Sequence, residues 1–431
     1  MDIYDALTPL QRAGQLCCLW HWRLDSATHQ LKRSRWLELY GFVVLLLSTG
    51  YLLYSLFDAS RNVVANGETT ETTNIGHTVD AIQLVGIRVA HAIALLEELW
   101  QRQAQSQFVV QLRQIDLDFA NLLQLDVNNG QLRRHLGRLA LCMLSGYAIS
   151  QGFILFTKLL SVDITFIYYW LSYLLPLLVC GLRYFQIYAS IMVVQQRLEL
   201  LLRMLDSLQL NEALPEKPQV CRSINEKLQL EAEAAACMQR LLAARKLYQS
   251  LWMLVDLLNR CYGLSMLVNL GNDFLSITSN CYWIFLNFRE FAASPYDFMQ
   301  IVGSALWTAP HLSNVLILAL LCERVASFTT RLALSLHHIR ADLQNDEHNA
   351  LVSRSHSKEH LVSPLANSAS QITQFSLQLL HQRLHFSAAG FFDVNCTLLY
   401  TIVGATTTYL IILIQFHMSE SSLSSGSSAG V

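Results

Sequence analysis

Charged residues inside otherwise apolar segments are the first candidates for chemistry in this chain. Charged side chains are costly within a bilayer and usually serve a function there. Arg88 and His91 interrupt one apolar segment, and Arg183 interrupts another. Asp256 and Arg260 lie four residues apart in a third segment, so we expect them to form an ion pair on one helical face. Arg183 lies far enough along its segment to be directed away from an outer binding site.

A second group combines aromatic and polar side chains in the opposite halves of three apolar segments. Aromatic walls with a few polar groups are typical of small-molecule pockets. The candidate pocket residues are Tyr168, Tyr169, Trp170, Tyr173, Asn269, Asp273, Trp307 and His311. An aromatic belt at the membrane interface explains Tyr168 to Trp170 equally well. Pro176 and Pro310 predict kinks that would help to open a cavity between their helices.

The last apolar segment carries a stripe of small and mildly polar residues at spacings of three and four, which places them on one helical face. The candidate pore-lining residues are Thr397, Thr401, Gly404, Thr408, Ile412, Gln415 and the adjacent Phe416. An uncharged stripe of this kind suits a pore for hydrated cations that closes at an apolar or amide constriction. From the spacing alone, hydroxyls bonded to the preceding turn, or close helix packing, are the simpler explanations.

The chain shows no pattern typical of an enzyme or of a cofactor or metal site. No nucleophile–base set, metal-ligand cluster or glycine-rich phosphate loop occurs in it. The ten cysteines lack zinc-like spacing and do not predict a disulfide framework. Cys17 and Cys18 are adjacent near the N-terminus and are candidates for palmitoylation. A net charge of −2 gives no reason to expect a nucleic-acid partner.

Composition indicates a membrane protein. Of the 431 residues, 53% are hydrophobic and 14% are charged, whereas soluble domains average about 25% charged residues. Seven segments can cross a bilayer as a helix, which takes about 20 apolar residues. They are 37–57, 79–99, 138–158, 164–195, 250–288, 299–322 and 394–416. The second segment, 79–99, is the weakest candidate because Arg88 and His91 interrupt it. No cleavable signal peptide precedes the first segment.

Basic residues predict the orientation. The N-terminal segment and the alternate loops hold 24 of the 30 Lys and Arg residues. Because cytoplasmic loops carry the excess of Lys and Arg, we expect a cytoplasmic N-terminus and an extracellular C-terminus. This orientation is opposite to that of a G-protein-coupled receptor. A metabotropic seven-helix receptor is therefore disfavoured, and the absence of internal repeats disfavours a transporter.

These observations predict an all-α membrane protein with seven transmembrane helices and a cytoplasmic anchor layer of helical extensions. The helical period continues through 196–210, 221–249 and 323–343, with a break at Pro215–Pro218. The polar stretch 344–368 predicts disorder, and 369–386 predicts another helix. The expected regions are a cytoplasmic segment 1–36, helices one to four in 37–195, a cytoplasmic helical loop 196–249, helices five and six in 250–322, a second cytoplasmic loop 323–393, the last helix 394–416 and a Ser-rich extracellular tail 417–431.

The segment from Gly390 to Phe416, GFFDVNCTLLYTIVGATTTYLIILIQF, resembles the C-terminal signature of insect gustatory receptors. In that signature the last helix ends in Thr-Tyr-Leu, a short aliphatic run and Gln-Phe. Thr408-Tyr409-Leu410 and Gln415-Phe416 match it here. The upstream sequences Gly390-Phe391-Phe392 and Leu398-Leu399 also match.

The resemblance implies a ligand-gated, non-selective cation channel that is a homo- or heterotetramer with other gustatory receptor subunits. It implies that the last helix lines a central pore, which then becomes the favoured explanation of the stripe. Helices one to six would form a pocket for a small extracellular tastant, with membrane lipid around them. The expected location is the plasma membrane of chemosensory neurons. The ending differs from that of sugar receptors, which favours a bitter or aversive ligand, although the fructose-like branch also fits. A metabotropic receptor and a non-conducting co-receptor subunit are the alternatives.

Overall fold

The structure is a computed structural model that describes residues 2–25, 30–65, 74–160, 164–212, 224–290, 295–353 and 362–427. In these residues the fold is almost entirely helical. The helices are α1 (Ile3–Leu16), α2 (Arg35–Ala65), α3 (Asn74–Trp100), α4 (Arg102–Leu123), α5 (Asn129–Leu160), α6 (Ile164–Glu212), α7 (Ile224–Glu290), α8 (Pro295–Ser353), α9 (Val362–His381) and α10 (Cys396–Ser427). Two short antiparallel hairpins complete it, β1 (Trp22–Asp25) with β2 (Gln30–Arg33) and β3 (Ser387–Ala388) with β4 (Phe392–Asp393).

Six of the seven predicted spans lie within one helix each, so the predicted all-α membrane fold is confirmed. The seventh, 394–416, is helical from Cys396 onward, and its helix α10 continues to Ser427 into the segment predicted as a tail. Within the described residues, six helices are long and apolar enough to cross a membrane, namely α2, α5, α6, α7, α8 and α10. The exception, α3, holds the segment 79–99 that was expected to be weakest. It packs against α2, α6 and α7, and it buries Arg88, His91, Glu97 and Glu98. Because these polar side chains of α3 face other helices and not lipid, the charged residues of α3 are compatible with a position inside the bundle.

The helical extensions predicted for the anchor layer are present. α6 continues to Glu212, α7 begins at Ile224, and both pack into a hydrophobic core that also includes α1, α4 and α9. Arg197 of α6 is fully buried there. Its guanidinium donates to both carboxylate oxygens of Asp116 in α4, at 3.0 and 2.9 Å, and to the side-chain oxygen of Asn129 in α5 at 2.7 Å. This bidentate pair fixes three helices at one point.

Two local predictions were wrong. The polar stretch 344–368 was expected to be disordered, but α8 continues to Ser353 and α9 begins at Val362. Extending an existing helix costs little compared with starting one, so α8 outlasts its apolar period. α9 also ends at His381 instead of 386, because the chain then enters the β3–β4 hairpin. Residues 354–361 and the Pro215–Pro218 break lie outside the described residues.

The segment 100–138, which connects the second and third predicted spans, contains α4 and the start of α5. α4 is amphipathic, with Phe108, Leu112, Ile115 and Phe119 buried at spacings of four and three. It therefore packs along α7 as part of the anchor layer. The N-terminal α1 and the β1–β2 hairpin were also not predicted.

Candidate functional site

Three of the predicted pocket residues meet in one buried hydrogen-bonded chain. The Tyr173 hydroxyl lies 3.2 Å from Nε2 of His311, whose Nδ1 lies 2.7 Å from Oδ1 of Asp273. A neutral His311 with its proton on Nδ1 satisfies both contacts, since it donates to the carboxylate and accepts from the phenol. Tyr184 donates to the other Asp273 oxygen at 2.5 Å. The chain thus links α6, α8 and α7 through side chains that are almost fully buried.

Aromatic and aliphatic side chains enclose one end of this chain. The rings of Tyr173 and Trp307 lie 4.8 Å apart between centroids, tilted by 46°. A small hydrophobic cluster from α3, α5, α6 and α8 surrounds them. Trp170 packs against this cluster, and its indole N–H donates to Gln151 at 2.9 Å. The structure therefore brings Trp170, Tyr173, Trp307, His311 and Asp273 into one region.

The other predicted pocket residues are placed differently. Asn269 lies one turn from Asp273 on α7, and its amide donates to the Ser265 carbonyl of its own helix at 2.8 Å. Its amide is thus used within α7. Tyr168 and Tyr169 lie in the first turns of α6, where the side chains are outside the described residues.

Several buried polar atoms beside this region make no hydrogen bond of regular geometry among the described residues, although those of Gln83, Ser276 and Trp307 surround the Tyr173 hydroxyl. They are Nε2 of Gln83, Oδ1 of Asn272, Oγ of Ser276 and Nε1 of Trp307. Gln83 is tied to α7 by its carbonyl, which accepts from Ser279 at 3.1 Å. Buried polar groups that are weakly paired are costly, and this cluster therefore offers hydrogen-bonding groups to a ligand that reaches it. Sequence analysis missed this group because single Gln, Asn and Ser residues carry no spacing signal.

A second polar centre is ionic and was only partly predicted. Arg183 of α6 is fully buried, and its two terminal nitrogens each lie 2.8 Å from a carboxylate of α3, one from Glu97 and one from Glu98. Glu97 also accepts from the Ser265 hydroxyl and from two backbone N–H groups of α7. The Arg183 guanidinium lies 4.7 Å from the Tyr262 ring centre. Arg183 thus lies in an ionic cluster that joins α3, α6 and α7.

The other four charged residues that the sequence analysis singled out inside the spans have structural partners. Asp256 and Arg260 form the predicted ion pair on an exposed face of α7. Arg88 of α3 lies 4.4 Å above the Tyr51 ring of α2. His91 of α3 lies 3.2 Å from the hydroxyl of Ser48, also in α2. These two contacts hold α2 against α3.

The two adjacent N-terminal cysteines differ in their environment. Cys18 is buried, and desolvation raises the pKa of its thiol to about 11. Cys17 is half-buried, and burial raises its pKa as well. Because acylation needs an accessible thiol, Cys17 is the better placed of the two for palmitoylation.

The candidate pore-lining residues share one exposed face of α10. All seven, from Thr397 to Phe416, are exposed on the subunit, and none of the Cys396–Ser419 span is buried. The opposite face carries Leu398, Leu399 and Ile402 against the core. The Thr401 and Thr408 hydroxyls donate to the carbonyls four residues before them, at 3.3 and 3.0 Å. The hydroxyl donors of both threonines are thus used within α10. That this face lines a pore stays a prediction.

The segment that leads into α10 is fixed to α7. The Asn259 side chain donates to the His385 carbonyl at 3.0 Å and accepts from the Ser387 N–H at 3.1 Å. A Cβ at Gly263 would lie 3.1 Å from the backbone nitrogen of Ala389, so a glycine lets the hairpin approach closely. Gly390 of the Gly-Phe-Phe sequence occupies the turn with φ +81°. α10 therefore enters the membrane from an anchored position.

Comparison with known proteins shows the family. A family model described as 7tm chemosensory receptor matches residues 7–420. The chain belongs to this family. It is 57% identical to the putative gustatory receptor 2a of Drosophila melanogaster over 436 aligned residues, which cover 99% of each chain. The predicted resemblance to insect gustatory receptors is thereby confirmed.

Other relatives match over shorter regions. The Drosophila melanogaster gustatory receptor for sugar taste 43a is 27% identical over 43% of this chain and 39% of its own length. Among solved structures, the insect olfactory receptor OR5 from Machilis hrabei in complex with eugenol aligns with a TM-score of 0.60. That alignment covers 96% of this chain and all of the other at 13% identity, so it supports the fold. The chain is a multi-pass membrane chemoreceptor subunit.

Proposed function

We propose that this chemoreceptor subunit forms a ligand-gated, non-selective cation channel that a small extracellular tastant opens. The observation that carries the proposal is the uncovered face of α10. It holds threonine, glycine and glutamine side chains without a charge, on a helix whose other face packs against the subunit. Around a central axis, four copies of this face would line a water-filled path for cations. The other six spans would surround the pore in each subunit.

A direct contact between pocket and pore helix supports ligand gating. Asp273 belongs to the buried chain with His311, and the next residue, Phe274, is in ring contact with Tyr409 of α10. Their ring centroids lie 5.8 Å apart with an edge-on geometry. A tastant that binds better when α7 has shifted would therefore bias α10 as well. Tyr409 belongs to the Thr-Tyr-Leu signature.

The pocket chemistry favours a neutral tastant with both apolar and hydrogen-bonding groups. The Tyr173 and Trp307 rings supply apolar contact, while the side-chain amides of Gln83 and Asn272 supply a hydrogen-bond donor and an acceptor. Such a mixture fits aromatic or heterocyclic compounds with hydroxyl or carbonyl groups, which is in line with a bitter or aversive ligand. The Drosophila relatives include receptors named for sugar taste and for bitter taste. We place the receptor in the plasma membrane of chemosensory neurons with a cytoplasmic N-terminus, in homo- or heterotetramers.

Substitution of Gln415 tests the pore. Gln415 is exposed towards the C-terminal end of the apolar span of α10, Cys396–Ser419, so four copies would form a ring at which charge governs ion entry. We expect Gln415→Glu to favour divalent cations and Gln415→Arg to suppress cation current, with assembly intact. Whole-cell currents and ion selectivity are measured in cells that express the chain alone and with other gustatory receptor subunits.

The matched control is Leu413, which is half-buried and lies about 160° away around the helix. Leu413→Ala should change expression or packing without changing selectivity, whereas Gln415→Ala should change conductance or resting leak. If channels with Arg at position 415 conduct cations like the parent, α10 does not line the pore at that depth. Ligand responses without any ionic current through the complex would instead support a metabotropic receptor.

A further inference from the structure

The N-terminal end of α5 exposes a dense group of basic residues. Arg133, Arg134, His135 and Arg138 are all exposed within six residues; we call them the α5 basic patch. We propose that this patch, together with Arg12 of α1, binds the phosphate-bearing headgroup of an anionic membrane lipid. Nothing in the gating proposal requires such a site.

The position of the patch along α5 carries the first step. At 100° per residue, Arg134 and Arg138 lie within about 80° of Leu141, Ile149 and Phe156 around the helix. These three side chains are 69%, 67% and 57% exposed, so this apolar face of α5 is free on the subunit to contact lipid. The two arginines continue the same face about one to two turns beyond the first lipid-facing leucine. Their guanidinium groups therefore lie where lipid headgroups lie.

A pocket next to the patch carries the second step. Arg12 of α1 and Arg133 of α5 line an open pocket of about 540 Å³ with Asp5, Thr8 and Pro9. Two arginines and one carboxylate leave the pocket with a net positive charge. Its volume accommodates a phosphorylated headgroup, for which paired guanidinium groups are well suited donors.

The charge balance of the neighbouring basic residues carries the third step. In the same layer, Arg113, Arg197 and Lys246 are each paired with an aspartate. By contrast, Arg12 and the three arginines of the α5 basic patch have no ion-pair partner within the described ranges. The distribution of basic residues along the chain predicts that these arginines are cytoplasmic. It does not predict that they lie beside an exposed apolar face and a pocket. Unneutralised basic clusters next to a membrane span attract anionic lipid.

Lipid binding to the purified full-length chain in detergent tests the proposal by native mass spectrometry. The probes are a phosphatidylinositol bisphosphate, phosphatidylserine and phosphatidylcholine. The chain should retain the two anionic lipids in preference to phosphatidylcholine. The double variant Arg134→Gln/Arg138→Gln should weaken anionic-lipid binding about 25-fold, roughly fivefold for each charge removed. The variant Arg12→Gln/Arg133→Gln should have a similar effect.

The control removes the same charge elsewhere. Arg240→Gln/Arg331→Gln changes two exposed arginines of α7 and α8, and it should bind anionic lipid like the parent. Equal loss in the control variant, or parental binding by both patch variants, would overturn the site. If soluble inositol trisphosphate at the same concentration displaces the bound lipid completely, the ligand is a free phosphate compound and the proposal of a lipid ligand is overturned. Because binding is measured without current or tastant, the result is independent of the gating proposal.

Discussion

Replacing Arg183 by methionine should destabilise the receptor far more than replacing Arg260 by methionine. Both arginines pair with carboxylates inside predicted spans, and methionine keeps much of the length of the side chain without its charge. The two sites differ in exposure. Arg183 is fully buried with Glu97 and Glu98, whereas the Arg260 side chain is 68% exposed in its pair with Asp256.

The expected magnitudes follow from burial. Loss of Arg183 leaves two buried carboxylates without a positive partner, and breaking a buried pair in this way costs about 3–5 kcal/mol. That cost corresponds to roughly two to four powers of ten in the folding equilibrium. An exposed pair such as that of Arg260 contributes only about 0–1 kcal/mol, because water solvates both charges when it breaks.

Thermal stability of the detergent-solubilised full chain, measured by fluorescence-detected size exclusion after heating, compares the variants. Arg183→Met should lower the apparent melting temperature and surface expression markedly, and Arg260→Met should change them little. A triple variant with Glu97→Gln and Glu98→Gln in the Arg183→Met background should recover much of the loss, since no uncompensated charge remains. Equal stability of the two single variants, or no recovery in the triple variant, would refute the reasoning.

Two further predictions concern the pocket and the orientation. Trp307→Phe should shift the tastant concentration for half-maximal current while surface expression stays near the parent value, because it removes an indole N–H beside Tyr173 and keeps an aromatic ring. Trp36→Phe, at an exposed position, should leave that concentration unchanged. A tag at residue 1 should be stained only after permeabilisation, and a tag after Val431 should be stained on intact cells. The glycosylation sequon Asn395-Cys396-Thr397 lies at the expected cytoplasmic entry to the last helix, so it should carry no glycan. A mobility shift on glycosidase treatment, or the reverse staining, would contradict the orientation.

Much of the fold was predictable because a bilayer imposes a simple rule on length and polarity. A run of about 20 apolar residues identifies a span whatever its neighbours are. The helix α4 was missed because a polar average masked its buried positions, although Phe108, Leu112 and Ile115 recur with a helical period. Polar content alone is thus a poor guide to the segments between spans, where amphipathic helices pack into the anchor layer.

The site was less predictable because pairing between helices depends on their neighbours, depth and rotation. Asp273 and His311 were chosen as pocket residues from their positions, but their direct contact depends on how α7 and α8 pack. Arg183 was predicted to lie away from the outer binding site, but neither its burial nor its partners were predicted. Glu97 and Glu98 stand at the end of the weakest span, and only the packing of α3 against α6 reveals them as its counter-charges.

The helix α7 joins the functional elements because its faces have different partners. Asn259, Gly263 and Phe274 lie within about 60° of one another around the helix, and they contact the linker and α10. Ser265 lies about 120° from Asn259 and binds Glu97 of the ionic cluster, while Asp273 lies between these directions and binds His311. These contacts fall within about 22 Å of one helix. Rotation of α7 about its axis would therefore move the Asp273 carboxylate and the Phe274 contact with α10 together. The hydrogen bonds between Ser265 and Glu97 of the ionic cluster would resist that rotation.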